Sequence, residues 1–251
     1  MSSTPRAPGR LVTGRLAPAF ASLLLVVAAC SGTSTPTATI PPVGSIGPSA
    51  AASPSASHPP AASYPPGCPT QQPAPLAAGE KRTVTLATAK GNIVITVDGS
   101  LSPIAAGNFV ALVECHFYDG IVFHRIVPKF LIQAGDGTYG REPTMNPDYV
   151  GFGELPYKVK DEPVTAPYLR GTVAMARTSK PDSADSQFFI VLDDSAAATL
   201  AKPKGPGNYQ IFGSVASGLD VVDVIGAGAN SGTPNYLSMN PVAITTATVS
   251  Q

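Results

Sequence analysis

The placement of acidic residues decides which part of this chain can fold. All 16 Asp and Glu residues lie at or beyond Glu80, and residues 31–79 carry no charged side chain but twelve prolines. Such a composition cannot bury enough apolar surface to offset the conformational entropy lost on ordering. We therefore predict one folded domain over residues 80–251, preceded at residues 30–79 by a disordered, semi-stiff tether rich in Pro, Ser and Ala. A proline-rich docking ligand is the alternative for the tether, although no basic residues accompany the prolines.

The predicted domain is mildly acidic. Three of the 16 basic residues, Arg6, Arg10 and Arg15, precede it, which leaves 13 basic against 16 acidic residues and a formal charge of −3. A surface of this charge does not attract phosphate, so we expect no nucleic-acid partner. The three histidines and the scattered acids lack metal-ligand spacing, so we expect no metal. A domain of this size buries roughly 70% of its unfolded surface, and we expect it to be monomeric.

Residues 1–29 have the pattern of a secretory signal peptide. Three arginines precede a largely apolar stretch, Leu16 to Ala29, that is too short to span a bilayer comfortably as a permanent helix. The run Val27-Ala28-Ala29-Cys30 is similar to a bacterial lipobox, in which a lipoprotein signal peptidase cuts before the cysteine and the thiol carries diacylglycerol. Each buried methylene contributes about 0.8 kcal/mol, so lipid on Cys30 would hold the protein on the outside of the cell membrane. The alternatives are an ordinary signal peptide with an incidental cysteine, or an N-terminal anchor helix.

Short strand patterns separated by turns follow Glu80. Residues 83–88 alternate in polarity, Lys90-Gly91-Asn92 is typical of a hairpin turn, and residues 93–97 return as a second strand. Many such strands with few helices favour a closed β-barrel or a sandwich.

Two segments have a helical pattern. Ser102 and Pro103 are suited to begin the first helix, the serine as an N-cap hydroxyl and the proline in the first turn. Residues 218–225 form the other segment with a clear helical period.

Two runs of sequence carry a resemblance to a known family. The run from Phe123 to Asp136 resembles the central signature of the cyclophilin-type peptidyl-prolyl cis-trans isomerases, and the run from Ser186 to Ile190 resembles their second signature. The resemblance implies an all-β fold, an eight-stranded antiparallel closed β-barrel capped by two α-helices, with a catalytic groove on its outer face. It also implies isomerisation of Xaa-Pro bonds in proline-containing polypeptides, without a cofactor.

The resemblance assigns a role to each groove residue by its position in these runs. Arg125 matches the catalytic arginine, and Gln133 matches the glutamine that holds it and the substrate backbone. The matches to substrate-binding positions are Phe130, Leu131 and Phe189 in a proline pocket, Ala176 and Gln187 along the peptide backbone, Leu200 where many members have tryptophan, and Tyr209 where many have histidine. The chain has no Trp, and that tryptophan takes part in cyclosporin binding in many members, so we predict weakened cyclosporin affinity.

Strand alternation predicts which side chains face the groove. Phe188 and Phe189 are adjacent, so one of them should face the barrel core, and the family register puts Phe189 outward. His124 should point away from the face that carries Arg125, as a core histidine with satisfied ring nitrogens.

Cys68 and Cys115 are the cysteines that remain after Cys30. In an oxidising exterior they could form a disulfide that fastens the base of the tether to the barrel. The alternative is two unrelated thiols.

Two functions of different classes fit the groove. The first is an extracytoplasmic catalyst that speeds proline isomerisation in exported proteins, and the second is a tethered module or chaperone that binds proline-containing segments without turnover. Retention of Arg125 favours catalysis, because a pure binder has no need of it. Residues 137–162 match the family only loosely, so their contacts are not predicted.

Overall fold

Eight strands close into a barrel. The computed structural model describes residues 64–201 and 209–250; the predicted signal peptide, Cys30 and the tether as far as residue 63 lie outside the described residues. In chain order the strands are β1 (Lys81–Thr88), β2 (Gly91–Asp98), β3 (Val122–Val127), β4 (Leu131–Ala134), β5 (Thr172–Met175), β6 (Phe188–Val191), β7 (Ile211–Ser217) and β8 (Leu237–Ser250). Their order around the barrel is β1-β2-β7-β5-β6-β4-β3-β8, and all neighbours are antiparallel. The predicted barrel is confirmed.

Helices α1 (Pro103–Glu114) and α3 (Leu219–Gly226) pack on the barrel at the two places that the sequence predicts. A third, short helix α2 (Ala197–Leu200) follows a 3-10 turn and was not predicted. In the part of the chain that the structure describes, no helix has the length and apolar character needed to cross a bilayer.

The barrel interior is filled by apolar side chains around an aromatic centre. Phe109 of α1 lies there, with ring centroids 5.1 Å from Tyr118, 5.3 Å from Phe188 and 4.7 Å from Phe212. All four rings are fully buried, so the contacts join α1 to β6 and β7 through the core. This packing gives the outer face of β3, β4 and β6 a rigid support.

The first turn of α1 is capped by a residue distant in sequence. Ser102 occupies the predicted N-cap position and Pro103 the first turn, but the expected capping hydrogen bond of the Ser102 hydroxyl is not formed. The carboxylate of Glu162 instead accepts hydrogen bonds from the backbone N–H groups of Ile104 and Ala105, at 2.9 Å each. A carboxylate satisfies these free donors and also interacts favourably with the positive end of the helix.

The ordered body begins before the predicted boundary at residue 80. Residues 64–79, which we call the strap, were predicted to be disordered, but they lie against α1. Cys68 and Leu76 are buried, and a disulfide joins Cys68 to Cys115 with an S–S distance of 2.00 Å. The N–H of Leu76 also donates to the carbonyl of Pro103 at 2.9 Å. The strap is ordered because it adds its few apolar residues to the core of the barrel and needs no core of its own.

Candidate active site

A row of paired residues crosses three adjacent strands on the outside of the barrel. Arg125 on β3 pairs with Gln133 on β4, and Gln133 pairs with Phe189 on β6. Residues opposite one another on antiparallel strands project from the same face, so the three side chains are neighbours. Phe188 points the other way, into the core beside Phe109. Phe189 therefore faces outward, as the sequence predicted.

The guanidinium of Arg125 is held at two points. Its Nη1 donates to Oε1 of Gln133, and its Nε donates to the backbone carbonyl of Asn235, both at 3.2 Å. Burial lowers the pKa of Arg125, and the nearby Tyr209 and Tyr236 oppose that shift. The side chain stays charged because an arginine is not deprotonated in proteins. Two fixed nitrogens orient the guanidinium, and no hydrogen-bond partner of Nη2 lies among the described residues.

A hollow of about 370 Å³ lies beside Arg125. Apolar side chains from four parts of the chain line it, namely Phe130, Leu131, Phe189, Leu200 and Tyr209. The rings of Phe189 and Tyr209 stand nearly perpendicular, with centroids 5.3 Å apart. Together with other apolar side chains, these residues form a second cluster that packs outside the barrel core. This apolar wall suits a pyrrolidine ring, and polar side chains such as Arg125, Gln133 and Asp148 line the rest of the hollow.

Gln187 connects Gln133 to the wall of the hollow. Nε2 of Gln133 donates to Oε1 of Gln187 at 3.0 Å. Nε2 of Gln187 then donates to the carbonyls of Gly151 and Gly153, at 3.1 and 3.3 Å. The hydrogen-bonded chain from Arg125 thus continues to residues 137–153, which we call the groove loop.

Asp136 holds the groove loop from the other side. Its carboxylate is fully buried, and Oδ2 accepts hydrogen bonds from the N–H groups of Gly151 (2.6 Å) and Gly153 (3.0 Å). Oδ1 accepts from the N–H groups of Thr138 and Tyr139, both at 2.9 Å. A buried carboxylate that accepts several backbone hydrogen bonds is well satisfied, so Asp136 fixes the shape of the loop.

The structure brings the predicted groove residues together. Those that line the hollow are Arg125, Phe130, Leu131, Gln133, Ala176, Phe189, Leu200 and Tyr209. Gln187 lines the adjoining pocket and reaches the hollow through its hydrogen bond to Gln133. Cys68 and Cys115 form their disulfide elsewhere, and Cys30 is outside the described residues.

Sequence reasoning missed the roles of Asn235, Asp136 and Phe152. Asn235 acts through its backbone carbonyl, which any residue type would supply. Asp136 closes the run that matched the family signature, but its partners lie in the loop that matched only loosely. Phe152 stands on that loop with 76% of its surface exposed, and no periodic pattern could have assigned it a position.

His124 departs from its prediction. It is buried, but neither ring nitrogen has a hydrogen-bond partner of good geometry among the described residues. Its Nε2 faces Gly151 of the groove loop, and the side chain borders the hollow. Successive side chains of β3 do not alternate strictly between the two faces of the sheet, because the pairing of β3 with β8 shifts register between Phe123 and Arg125. Burial lowers the pKa of His124 to about 4, and the Asp136 carboxylate opposes only part of that shift.

The groove offers hydrogen-bond donors and an apolar surface. Within residues 64–201 and 209–250, no three His, Cys, Asp or Glu side chains are grouped so that they could hold a metal ion. The arrangement can therefore bind a peptide chain, place a small ring in the hollow and direct a cationic donor at the atoms beside that ring.

Comparisons with known proteins agree with this geometry. A family model described as "Cyclophilin type peptidyl-prolyl cis-trans isomerase/CLD" matches residues 83–249. A probable peptidyl-prolyl cis-trans isomerase of Brucella abortus is 35% identical over 179 residues, which cover 69% of this chain and 85% of that protein. A peptidyl-prolyl cis-trans isomerase of Acinetobacter baylyi is 40% identical over 154 residues, covering 61% and 74%. The crystal structure of a Cryptosporidium parvum cyclophilin type isomerase aligns with a TM-score of 0.55 at 24% identity, over 68% of this chain and 99% of that one.

Proposed function

The chain belongs to the family of cyclophilin-type peptidyl-prolyl cis-trans isomerases and has their activity, and we propose that it acts outside the cytoplasm on exported proteins, with Arg125 as the central catalytic group. The observation that supports these roles is the row of Arg125, Gln133 and Phe189 beside a hollow with an apolar wall. Neither a nucleophile nor a proton-transfer group is required.

The barrier to be lowered lies in the amide itself. Rotation about an Xaa-Pro bond crosses roughly 18–20 kcal/mol, because the nitrogen lone pair is shared with the carbonyl in both planar forms. As the bond twists, the lone pair localises on nitrogen and becomes a hydrogen-bond acceptor. A cationic donor fixed near that nitrogen binds the twisted form more tightly than either planar form, and only such differential binding lowers the barrier.

The groove supplies the two elements that this chemistry needs. The hollow takes the pyrrolidine ring, and Arg125 directs its Nη2 towards the ring nitrogen while Nη1 and Nε stay bonded to Gln133 and Asn235. Because these bonds exist before substrate binds, the donor needs no reorganisation when the amide twists. Ala176 and Gln187 border the path of the substrate backbone and limit the movement of the chain on one side of the ring while the other side rotates.

Two features support a location outside the cytoplasm. The first is the arginine-containing apolar leader that ends in Val27-Ala28-Ala29-Cys30. The second is the disulfide between Cys68 and Cys115, since disulfides persist mainly in oxidising compartments. We propose that residues 1–29 are removed as a signal peptide and that lipid on Cys30 anchors the protein to the cell membrane. Slow isomerisation of exported chains, which takes tens of seconds unaided, would be its task there.

Lipid labelling tests this anchor. The full-length chain and the variants Cys30→Ala and Ser31→Ala are produced in cells fed an alkynyl fatty acid, and the membrane and soluble fractions are assayed for label and protein. We expect the wild type and Ser31→Ala to carry label in the membrane fraction, and Cys30→Ala to carry none. Wild-type protein without label would exclude the lipoprotein and leave the isomerase activity unaffected.

A further inference from the structure

A second cleft lies on the groove loop, outside the hollow. Its volume is about 560 Å³, and three aromatic side chains, Tyr139, Tyr149 and Phe152, contribute to its lining. The rings of Tyr139 and Tyr149 stand with centroids 5.5 Å apart at 40°. We call this feature the aromatic cleft. It is formed by the part of the chain that departs most from the family pattern.

Phe152 is displayed on a rigid support. It exposes 76% of its surface, whereas an apolar side chain that served only folding would gain stability from burial. The glycines on both sides of it, Gly151 and Gly153, are held through their N–H groups by Asp136 and through their carbonyls by Gln187. A Cβ on Gly153 would collide with Asp136, so the tight hold depends on glycine. Phe152 thus adds a third ring to the aromatic surface that Tyr139 and Tyr149 form.

Acidic side chains give the aromatic cleft its charge. Asp148 and Glu154 line it, and no Lys or Arg of residues 64–201 and 209–250 does. Glu154 pairs with Lys158 at 3.2 Å, but Lys158 is shared with Asp185 at 2.9 Å. In the described part of the chain, no basic side chain lies within salt-bridge distance of Asp148. Aromatic faces and carboxylates both attract a cation that carries N–H donors.

The aromatic cleft is continuous with the hollow. Phe152 and Asp148 line both, so the cleft is within reach of a chain that places its proline in the hollow. We propose that the aromatic cleft is a specificity subsite that takes a lysine or arginine side chain from the same polypeptide that presents the proline, with Phe152 and Asp148 as its determining residues. The inference rests on the proposed function, because it needs proline to occupy the hollow.

A peptide series tests the subsite with the full-length protein. Each peptide contains one Ala-Pro bond, and one position beside the Ala-Pro pair is lysine, norleucine or glutamate. Each position is tested in turn. Norleucine keeps the methylene groups of lysine and lacks its charge. We expect kcat/KM for lysine to exceed that for norleucine by about threefold to tenfold at one position, the size that an exposed cation–π contact and a surface ion pair together supply. The advantage should shrink as salt is added, because surface charges are screened.

Variants separate the subsite from general charge steering. Asp148→Lys should reverse the order at that position, so that the glutamate peptide is preferred. Asp220→Lys makes the same charge change on an exposed residue of α3 that does not line the cleft, and it should keep the lysine preference. Phe152→Leu, which keeps an apolar side chain and removes the aromatic face, should reduce the preference without reversing it.

Three results would contradict the proposed subsite, and they can be told apart from one another. Equal rates for the lysine and norleucine peptides at every position, in a wild type that isomerises them, would overturn the subsite and leave the proposed function intact. An equal loss of preference in Asp148→Lys and Asp220→Lys would also overturn it, because net charge would then explain the effect. A wild type that isomerises none of the peptides would overturn the proposed function and the subsite together.

Discussion

Nη1 of Arg125 donates a hydrogen bond to Oε1 of Gln133 across 3.2 Å, and the two residues face each other on adjacent strands. The bond uses one N–H group of the guanidinium and thereby fixes the direction of its other N–H groups. Gln133 is itself fixed by Gln187, which holds the groove loop. The catalytic donor is therefore positioned by the barrel on one side and by the loop on the other.

Glu162 should matter more for stability than Ser102. Glu162→Ala removes the acceptor of two backbone N–H groups at the start of α1, so we expect it to lower the free energy of unfolding by about 2 kcal/mol. Ser102→Ala should change it by about 0.5 kcal/mol or less, because the buried hydroxyl has no hydrogen-bond partner among the described residues. Urea unfolding of both variants measures the difference, and an equal cost for the two would contradict the observed cap.

The disulfide should stabilise the domain without being needed for activity. It joins residues 47 apart in sequence, and a loop of that length gives about 2–4 kcal/mol of stability. We expect Cys68→Ser combined with Cys115→Ser to lose that much on urea unfolding while a short Ala-Pro peptide is still isomerised, since neither cysteine lines the hollow. Thiol titration of the unreduced protein checks the bond itself: thiols at both positions would exclude it.

The free energy of unfolding should decrease in acid because of His124. Its pKa is lowered to about 4 in the folded protein, against an ordinary value of 6.5, so below pH 6.5 the unfolded chain binds a proton there that the folded protein does not. The contribution of His124 is complete above pH 6.5 and declines as pH falls towards 4, by roughly 3 kcal/mol at most.

A variant pair isolates this effect. We expect the free energy of unfolding of His124→Leu to fall less between pH 7 and pH 4.5 than that of the wild type, because the titrating group is gone. His116→Asn is the control: it removes a histidine on the surface, where Nδ1 lies 3.1 Å from Oδ2 of Asp119. Parallel profiles for wild type and His124→Leu would show that His124 is not the group responsible.

Cyclosporin should bind weakly. Leu200 lines the hollow with 3% of its surface exposed and stands where many family members have a tryptophan that takes part in cyclosporin binding. The chain contains no tryptophan that could make this contact. We expect dissociation constants above the micromolar range, and tighter binding by Leu200→Trp because an indole offers more contact surface and an N–H donor. Calorimetric titration measures both; submicromolar binding by the wild type would refute the prediction.

The alternation of polar and apolar residues predicted the barrel strands. The groove residues could be predicted only within the two runs of sequence that resemble the family signatures. Alternation in residues 83–97 and the run from Phe123 to Asp136 depend on neighbours in sequence, which a sequence displays directly. The sequence offered the bond between Cys68 and Cys115, but it did not predict the order of the strap, because the contacts of the strap with α1 are not revealed by its composition.

Other departures have equally specific causes. Asp193 caps the 3-10 turn that precedes helix α2, and its side chain accepts a hydrogen bond from the N–H of Ser195. Helix α2 itself has only four residues and no side-chain cap, so its sequence shows no helical period. The groove loop is shaped by Asp136 and Gln187 through contacts with backbone atoms, which leave no pattern in side-chain type. His124 was misassigned because a register shift interrupts the alternation of β3.

We propose that the fixed guanidinium of Arg125 favours the twisted amide. The most direct measurement compares kcat/KM for isomerisation of an Ala-Pro-Phe peptide by the wild type, Arg125→Lys and Arg125→Ala, with thermal unfolding to verify that each variant is folded. We predict that kcat/KM of Arg125→Ala is about 10²–10³ times lower than that of the wild type. Most of the decrease should be in kcat, because the interaction is made in the transition state. Arg125→Lys should fall in between, since lysine keeps the charge but loses the planar, doubly held donor. Equal rates for the wild type and Arg125→Ala would contradict the account.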